Sequence, residues 1–191
     1  MGVSPPIPRL MAFIDGENLV ARYQAMVSAG RKPRDGVQHL KDVYVWHPGF
    51  PVPGHFEPVR AFYYASAVGD EQAIAEIAGS LRALPFGTGG FAPIQCMLYP
   101  RVFKRPANSP KTSIADVQLV VDALSQVYQA NVDTVVLLSG DGDFRALVQE
   151  VAARGRRIYV GAFSNGCHPD LADRADRFID LDGVYFQPPA D

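Results

Sequence analysis

Hydrophobic positions fall into two kinds of segment along this chain. Short, mostly apolar runs predict buried strands at 10–14, 59–65, 94–99, 134–138, 157–161 and 178–181. Apolar residues at helical spacing predict helices between them, at 17–29, 70–84, 113–128, 144–153 and 171–175. Because strands and helices alternate, we expect an α/β domain with a mainly parallel central sheet and helices on both faces.

The pattern indicates one domain at 9–183, preceded by an irregular arm at 1–8 and followed by a tail at 184–191. Proline and glycine predict two loops, at 47–55 and 85–91. The second loop carries Phe86 and Phe91. These rings could stack on nucleic-acid bases, but packing against the sheet is the interpretation we favour.

Isolated acids stand at comparable places in three segments. Asp15 follows the first strand, Asp141 and Asp143 follow the strand at 134–138, and Asp116 lies near the start of a helix. Parallel strands end at a common edge of their sheet, where ligands bind in open α/β folds. Carboxylates brought together there repel one another, and a cation between them would relieve the repulsion. The sequence therefore predicts a metal site.

Several of these polar residues also have purely structural interpretations. Asp141 or Asp143 could cap the following helix, since aspartate is a favoured N-cap. Asp122 could pair with a buried donor, and Asp176 could cap or pair near the last strand. Ser139 could hydrogen-bond the turn or orient an acid. The sequence does not decide whether Asp122 and Asp176 belong to the site.

Four motifs occur in a fixed order along the chain. They are Asp-Gly-Glu-Asn at 15–18, Asp-Val-Gln-Leu-Val-Val-Asp-Ala-Leu at 116–124, Ser-Gly-Asp-Gly-Asp-Phe at 139–144 and Ala-Asp-Arg-Phe-Ile at 175–179. Together they resemble the bacterial branch of the NYN domain family, within the PIN-like metal-dependent nucleases. Many relatives have Lys-Gly-Val directly before the middle aspartate. Here four residues separate Lys111 from Asp116, so we leave its place in the site open.

The resemblance implies a single PIN-like, Rossmann-like domain that hydrolyses RNA phosphodiester bonds, with single-stranded RNA as the first-choice substrate. It implies a catalytic set of Asp15, Asn18, Asp116, Asp141 and Asp143, in which the four aspartates are the metal ligands. Carboxylates without histidine or cysteine favour a hard ion, Mg²⁺ or Mn²⁺. Asn18 would hold a water molecule or a phosphate oxygen. The alternative is a noncatalytic RNA-binding or regulatory module on the same fold.

Basic residues before the helix at 113–128 are the candidates for phosphate contact. Lys104, Arg105 and Lys111 could hold RNA beside the acids, and we place Ser139 in the same substrate-binding set. The alternative for the cations is an ordinary solvated loop. The formal net charge of −2 argues against a tight nonspecific nucleic-acid binder. It does not argue against a nuclease, because the acids counted include the predicted metal ligands.

Other features narrow the class of protein. The chain has only two cysteines, Cys96 and Cys167, far apart and without zinc-ligand spacing to the four histidines. This composition and the absence of a secretory pattern at the N-terminus predict a cytoplasmic protein. No apolar stretch predicts a membrane-spanning helix. A homodimer is one assembly state that the sequence leaves open.

Overall fold

The computed structural model describes residues 6–51, 56–87, 96–106 and 114–188. Lys111 and Phe91 lie outside these ranges. The strands and helices follow in chain order: β1 (Arg9–Asp15), α1 (Gly16–Ser28), β2 (Gln38–Leu40), β3 (Tyr44–Trp46), β4 (Glu57–Ala67), α2 (Glu71–Arg82), β5 (Pro85–Phe86), β6 (Cys96–Lys104), α3 (Ile114–Tyr128), β7 (Thr134–Leu138), α4 (Arg145–Ala153), β8 (Arg157–Ala162), α5 (Pro169–Arg174), β9 (Arg177–Asp180) and α6 (Asp182–Tyr185).

Seven of the strands form one sheet in the order β5-β6-β4-β1-β7-β8-β9. Every neighbouring pair is parallel except β5 and β6. The chain moves from β1 to β4 and β6 on one side, and then crosses to β7, β8 and β9 on the other. This reversal at β1 opens a crevice beyond the carboxyl ends of the central strands. The predicted α/β class and mainly parallel sheet are confirmed.

The central strand β1 is buried on both faces of the sheet. Leu10, Ala12 and Ile14 pack with α1 and α2 in one apolar cluster. Met11 and Phe13 point the other way and pack with α3 and α4 in a second cluster. Such two-sided burial explains why β1 reads as a continuous apolar run rather than as alternating residues.

Three short strands, β2, β3 and β5, lie in segments where the sequence predicts none. Strands β2 and β3 form an antiparallel pair. All three residues of β2 are exposed, so β2 shows no alternation of apolar and polar residues from which a strand could be predicted. Strand β5 falls in the predicted loop at 85–91, where Phe86 is buried and stacks on Trp46 and Phe50. The packing interpretation of Phe86 is therefore confirmed, and a two-residue strand is too short to show a period.

The core also extends past 183, the domain boundary expected from the sequence. Tyr185 and Phe186 are buried in the same cluster as α1. The backbone N–H of Arg34 donates to the carbonyl of Tyr185 over 2.8 Å, and its side-chain Nε donates to the carbonyl of Phe186 over 2.9 Å. In the described ranges, no helix has the length and hydrophobicity needed to cross a bilayer.

A substitution at Gly16 tests how closely α1 packs against β4. A Cβ atom at this position would lie 2.6 Å from the carbonyl oxygen of Tyr64 and would overlap the ring of Tyr63. We expect Gly16→Ala to lower the free energy of unfolding by about 1–3 kcal/mol through overpacking. Chemical denaturation followed by circular dichroism measures this change.

Gly79 is the matched control, because it lies within α2 and a Cβ there meets nothing within 4 Å. Gly79→Ala should raise the free energy of unfolding by roughly 0.5–1 kcal/mol, since alanine favours a helix interior. Equal stabilities for the two variants would contradict the close contact at Gly16.

Candidate active site

The carboxylate of Asp15 lies at the centre of the candidate site. Asp15 ends β1 and caps α1, and only 5% of its surface is exposed. Its Oδ1 accepts the backbone N–H of Asn18 over 3.0 Å, and its Oδ2 accepts the hydroxyl of Ser139 over 2.8 Å. Two neutral donors therefore fix both oxygens of this side chain in the crevice between β1 and β7.

Ser139 and Asn18 join the motif at 15–18 to the motif at 139–144. The Ser139 hydroxyl donates to Asp15 and accepts the backbone N–H of Asp141 over 3.1 Å. The Oδ1 atom of Asn18 accepts the backbone N–H of Gly140 over 3.1 Å. Ser139 has no exposed surface from which to contact RNA. The structure thus corrects its predicted substrate contact in favour of the other predicted role, the orientation of an acid.

Close packing explains why a glycine, Gly140, follows Ser139. A Cβ atom on Gly140 would overlap the carbonyl of Gly166, in the segment that follows β8. The carbonyl of Gly140 accepts the backbone N–H of His168 over 2.9 Å. The turns after β7 and β8 are therefore in direct contact, which fixes the turn that carries Asp141.

Burial raises the pKa of Asp15 to about 7. The hydrogen bonds from Asn18 and Ser139 oppose this rise, whereas the negative charges of Asp116 and Glu17 add to it. Asp116 in α3 and Glu17 in the first turn of α1 are therefore close enough to repel the Asp15 carboxylate. This part of the predicted cluster, Asp15 with Asp116, is brought together by the fold.

Asp141 adopts the capping arrangement that the sequence left open, and Asp143 lies in the turn that it caps. Asp141 caps a short 3-10 turn at Gly142–Phe144, and its Oδ1 accepts the backbone N–H of Asp143 over 3.0 Å. Both side chains are exposed. Among the described residues, no three histidine, cysteine, aspartate or glutamate side chains lie close enough to hold a metal ion. The four predicted ligands are thus near one edge of the sheet but are not gathered around a common point.

The two undecided acids both have structural partners. Asp122 accepts the hydroxyl of Tyr64 and the side-chain amide of Gln118, each over 2.8 Å, and Nε of Arg101 lies 3.5 Å from it. Asp176 accepts the backbone N–H of the second residue of β8 over 2.7 Å. Because that residue lies near the amino end of this parallel strand, Asp176 lies at the opposite end of the sheet from Asp15.

Glu17 is the residue near Asp15 that the sequence analysis missed. Its carboxylate accepts the hydroxyl of Ser66, which lies at the end of β4. The signal was present in the motif at 15–18, where a second acid follows Asp15 in the first helical turn. Spacing alone did not separate this glutamate from an ordinary acid favoured near a helix N-terminus.

Two of the three basic residues predicted to contact phosphate, Lys104 and Arg105, lie within the described residues. Lys104 ends β6 and is exposed, and the backbone N–H of Arg105 donates to the carbonyl of Ala67 at the end of β4 over 2.9 Å. Since both positions follow the carboxyl ends of parallel strands, they share an edge with Asp15. Lys111 lies outside the part of the chain that the structure describes.

The sequence model of the NYN domain matches residues 9–182. This chain belongs to the NYN domain family. The match covers all four motifs and confirms the resemblance seen in the sequence. The parallel sheet order around β1 is consistent with the PIN-like nuclease fold that the family implies.

Individual relatives share shorter stretches with this NYN domain. The Low amplitude and bright protein LabA of Synechococcus elongatus is 33% identical over 69 residues, 36% of each chain. An uncharacterized protein of Methanocaldococcus jannaschii is 32% identical over 80 residues, 41% of this chain and 33% of that protein. The matched regions thus span about a third of each relative.

A solved structure supports the fold. The crystal structure of a protein of unknown function from Vibrio parahaemolyticus superposes with a TM-score of 0.65 at 24% sequence identity. The similarity covers 97% of this chain and 100% of the other. At this identity, the likeness shows a shared fold.

The raised pKa of Asp15 predicts a pH dependence of stability in the presence of EDTA. Between its ordinary value of 3.8 and the folded value of about 7, the native state holds a proton that the unfolded chain has lost. The contribution of Asp15 to the free energy of unfolding is therefore fully present below about pH 4 and is lost as the pH rises through about 7. Asp15→Asn removes this titration.

We therefore expect the melting temperature of Asp15→Asn, relative to the parent protein, to increase as the pH rises from 5 to 8 and then to level off. The effect corresponds to a few kcal/mol at most, since one pKa unit is about 1.4 kcal/mol. Thermal unfolding followed by circular dichroism measures it. A difference that stays constant with pH would contradict the raised pKa.

Proposed function

We propose that this NYN domain is a divalent-metal-dependent ribonuclease whose reaction takes place in the crevice at Asp15. The observation that supports this most strongly is the buried carboxylate of Asp15, which the negative charges of Asp116 and Glu17 repel. Keeping repelling carboxylates together is unfavourable for folding alone. A cation that binds among them offsets that cost, so the arrangement serves a ligand rather than stability.

The donor set fits Mg²⁺ or Mn²⁺, because every candidate ligand is a carboxylate oxygen. Asp15 comes from β1, Asp116 from α3, and Asp141 and Asp143 from the turn after β7. Asp141 is exposed and holds its present position through one hydrogen bond to the Asp143 amide, which a side-chain rotation would release. A bound ion would polarise the phosphate and lower the pKa of an attacking water.

The residues of the chain position the reacting groups. Ser139 holds Asp15 in one orientation, and the Asn18 Oδ1 is fixed by the Gly140 amide. This leaves the Nδ2 group of Asn18 as the donor for a phosphate oxygen of RNA. Fixing such groups before the substrate binds reduces the entropy that must be lost on reaching the transition state.

Single-stranded RNA is the proposed substrate, in keeping with the general action of the family on RNA. Lys104 and Arg105 would contact its phosphates on the β6 side of the crevice, and Lys111 remains a candidate for the same role. The cytoplasmic location remains a prediction from the sequence, and a homodimer remains one open assembly state.

The first test is RNA cleavage by the purified chain. We expect hydrolysis of labelled single-stranded RNA with Mn²⁺ or Mg²⁺, and none with EDTA. Asp15→Asn and Asp141→Asn should each lower turnover by about 10²–10³-fold, because each removes charge that holds the ion. Asp176→Asn is the control, since Asp176 lies at the opposite end of the sheet, and its turnover should match the parent protein at a temperature where both are folded.

Two outcomes contradict this assignment. Activity that survives equally in Asp15→Asn and Asp141→Asn would come from another site or from a contaminant. A chain that cleaves no RNA with any ion, and binds RNA more tightly when Asp141 loses its charge, would be the noncatalytic RNA-binding module.

Salt dependence tests the proposed phosphate contact of Lys104. In Lys104→Ala, RNA affinity should fall and the slope of log affinity against log salt should decrease by about 0.7, the value for one phosphate contact on a single strand. Arg157→Ala is the matched control, because Arg157 is an exposed cation at the start of β8, away from the crevice. If the two variants change the slope equally, the cations act only through net charge.

A further inference from the structure

Helix α3 carries apolar residues on two opposite faces. One face packs on the sheet, and its buried members recur at every fourth position: Ala115, Leu119, Ala123 and Val127. The other face turns away from the sheet, and its members alternate between spacings of three and four: Ile114, Val117, Val121, Leu124 and Tyr128. We call this second set the outer stripe. Side chains at these spacings line one side of a helix, and a second helix can pack against them.

Most of the outer stripe is exposed. Ile114, Val117, Val121 and Tyr128 each expose between 53% and 58% of their surface, and Leu124 is partly buried. Among the described residues, no other helix has more than one large apolar side chain that is exposed. The stripe presents about 400 Å² of apolar surface, as much as the largest apolar patch of a typical monomer, and patches of that size are often functional.

No charged side chain interrupts the outer stripe. The two charged residues of α3 are Asp116 and Asp122, and both are directed towards the sheet. Asp122 accepts the hydroxyl of Tyr64 in β4, and Asp116 raises the pKa of Asp15 at the end of β1. A surface helix normally has charges opposite its buried face, as α2 does with its exposed residues Glu71, Glu76 and Arg82.

This lack of charge narrows the class of partner. A surface that binds RNA needs cations to contact the phosphates, and the outer stripe has none. It also lacks the charged residues that would pair with an acidic or a basic peptide. A matching partner therefore presents an uncharged, apolar surface of its own.

The outer stripe is itself such a surface, and it is nearly symmetric about Val121. Ile114 and Tyr128 lie about two helical turns from Val121, one on each side, and Val117 and Leu124 lie about one turn away. A two-fold axis through Val121, perpendicular to the helix, therefore brings apolar residues of two copies together. Val121 meets the partner's Val121, and Ile114 meets the partner's Tyr128. Such a contact is isologous, because the same patch serves both copies.

The area agrees with an interface that has an apolar core and a polar rim. A standard interface buries about 800 Å² on each partner, and the outer stripe supplies about half of that as its core. Ser125 and Gln129 flank the stripe, and their hydroxyl and amide groups can both donate and accept, so this rim can also pair with itself.

The aromatic end of the stripe is already held in place. The hydroxyl of Tyr128 donates to Glu150 in α4 over 2.6 Å, and the guanidinium of Arg154 lies 4.6 Å from the centre of its ring. A side chain fixed before docking loses less entropy when the partner binds.

We propose that the outer stripe of α3 is a docking surface for a second copy of this chain, and that the two α3 helices pack antiparallel about Val121. Antiparallel packing keeps the positive ends of the two helix dipoles apart. It also places the two Asp15 crevices at opposite ends of the helix pair. This inference goes beyond the proposed function and does not depend on it, because the contact uses neither a metal ion nor RNA.

The test is the oligomeric state of the full chain, measured by sedimentation velocity from about 1 to 100 μM with EDTA present. We expect a dimer with a dissociation constant of about 1–10 μM, since an interface with half its area apolar lies at the weak end of specific complexes. Val121→Glu and Val121→Lys should each raise that constant by about 100-fold or more, because two like charges then meet at the axis.

An equal mixture of Val121→Glu and Val121→Lys is the decisive sample. The two opposite charges face each other only if Val121 of one copy meets the partner's Val121. We therefore expect the mixture to form a dimer with a dissociation constant within about tenfold of the parent value. Val27→Glu is the matched control, since Val27 is an exposed valine on α1, and its dissociation constant should equal that of the parent protein.

Three outcomes would overturn this inference. A parent chain that stays monomeric at 100 μM has no self-docking surface of this strength, and the stripe then belongs to a different partner. Equal dissociation constants for Val121→Glu and Val27→Glu would put the interface elsewhere on the molecule. Two monomeric Val121 variants that do not associate when mixed would exclude packing about Val121. Circular dichroism confirms that each variant is folded, and because Val121 is exposed, we expect the spectra of the variants to match that of the parent.

Discussion

The burial of one carboxylate at the end of the central strand is the constraint on which the candidate site depends. A buried carboxylate is unfavourable unless hydrogen-bond donors replace the water it has lost. Asp15 obtains them from the first turn of α1 and from Ser139 after β7. Both donors must come close, which requires α1 to start directly at the strand and the turn after β7 to fold over it. Neighbouring strands hold both turns in place, since Gly16 has no room for a side chain against Tyr63 and Tyr64 of β4, and Gly140 has none against the carbonyl of Gly166 after β8.

Much of the fold could be predicted because the sheet is parallel and covered on both faces. Strand β7 is fully buried, and its predicted bounds agree with the structure. The ends of β4 and β6 were underestimated, since polar residues such as Glu57 and Lys104 extend each strand beyond the apolar run. The β2–β3 pair and α6 could not be predicted. They make contacts with residues distant in the sequence, since Val45 in β3 hydrogen-bonds the Tyr63 hydroxyl and the carbonyl of Tyr185 in α6 accepts the backbone N–H of Arg34. Such contacts leave no period in the sequence.

The candidate site was predictable in position but not in side-chain orientation. Topology requires Asp15 and the turn carrying Asp141 to share an edge, so their proximity follows from the strand order. The direction of each carboxylate depends instead on single hydrogen bonds of about 1 kcal/mol. Asp141 turns to a backbone amide, whereas Asp122 pairs with Tyr64. Residue spacing does not encode preferences of that size, and for the same reason it did not distinguish Glu17 from an acid that merely favours a helix start.

The electrostatics of the site connect stability to ligand binding. Because burial and two neighbouring acids raise the pKa of Asp15 to about 7, part of the population carries a proton on this group at neutral pH. In the proposed metal-dependent reaction, a divalent cation would need the ionised form of Asp15, so its binding would displace that proton and would strengthen as the pH rises. The repulsion that lowers the stability of the ionised site would then favour the cation, since the ion would relieve it. Ser139 partly offsets the cost of ionising Asp15, because its hydroxyl donates to that carboxylate and lowers its pKa.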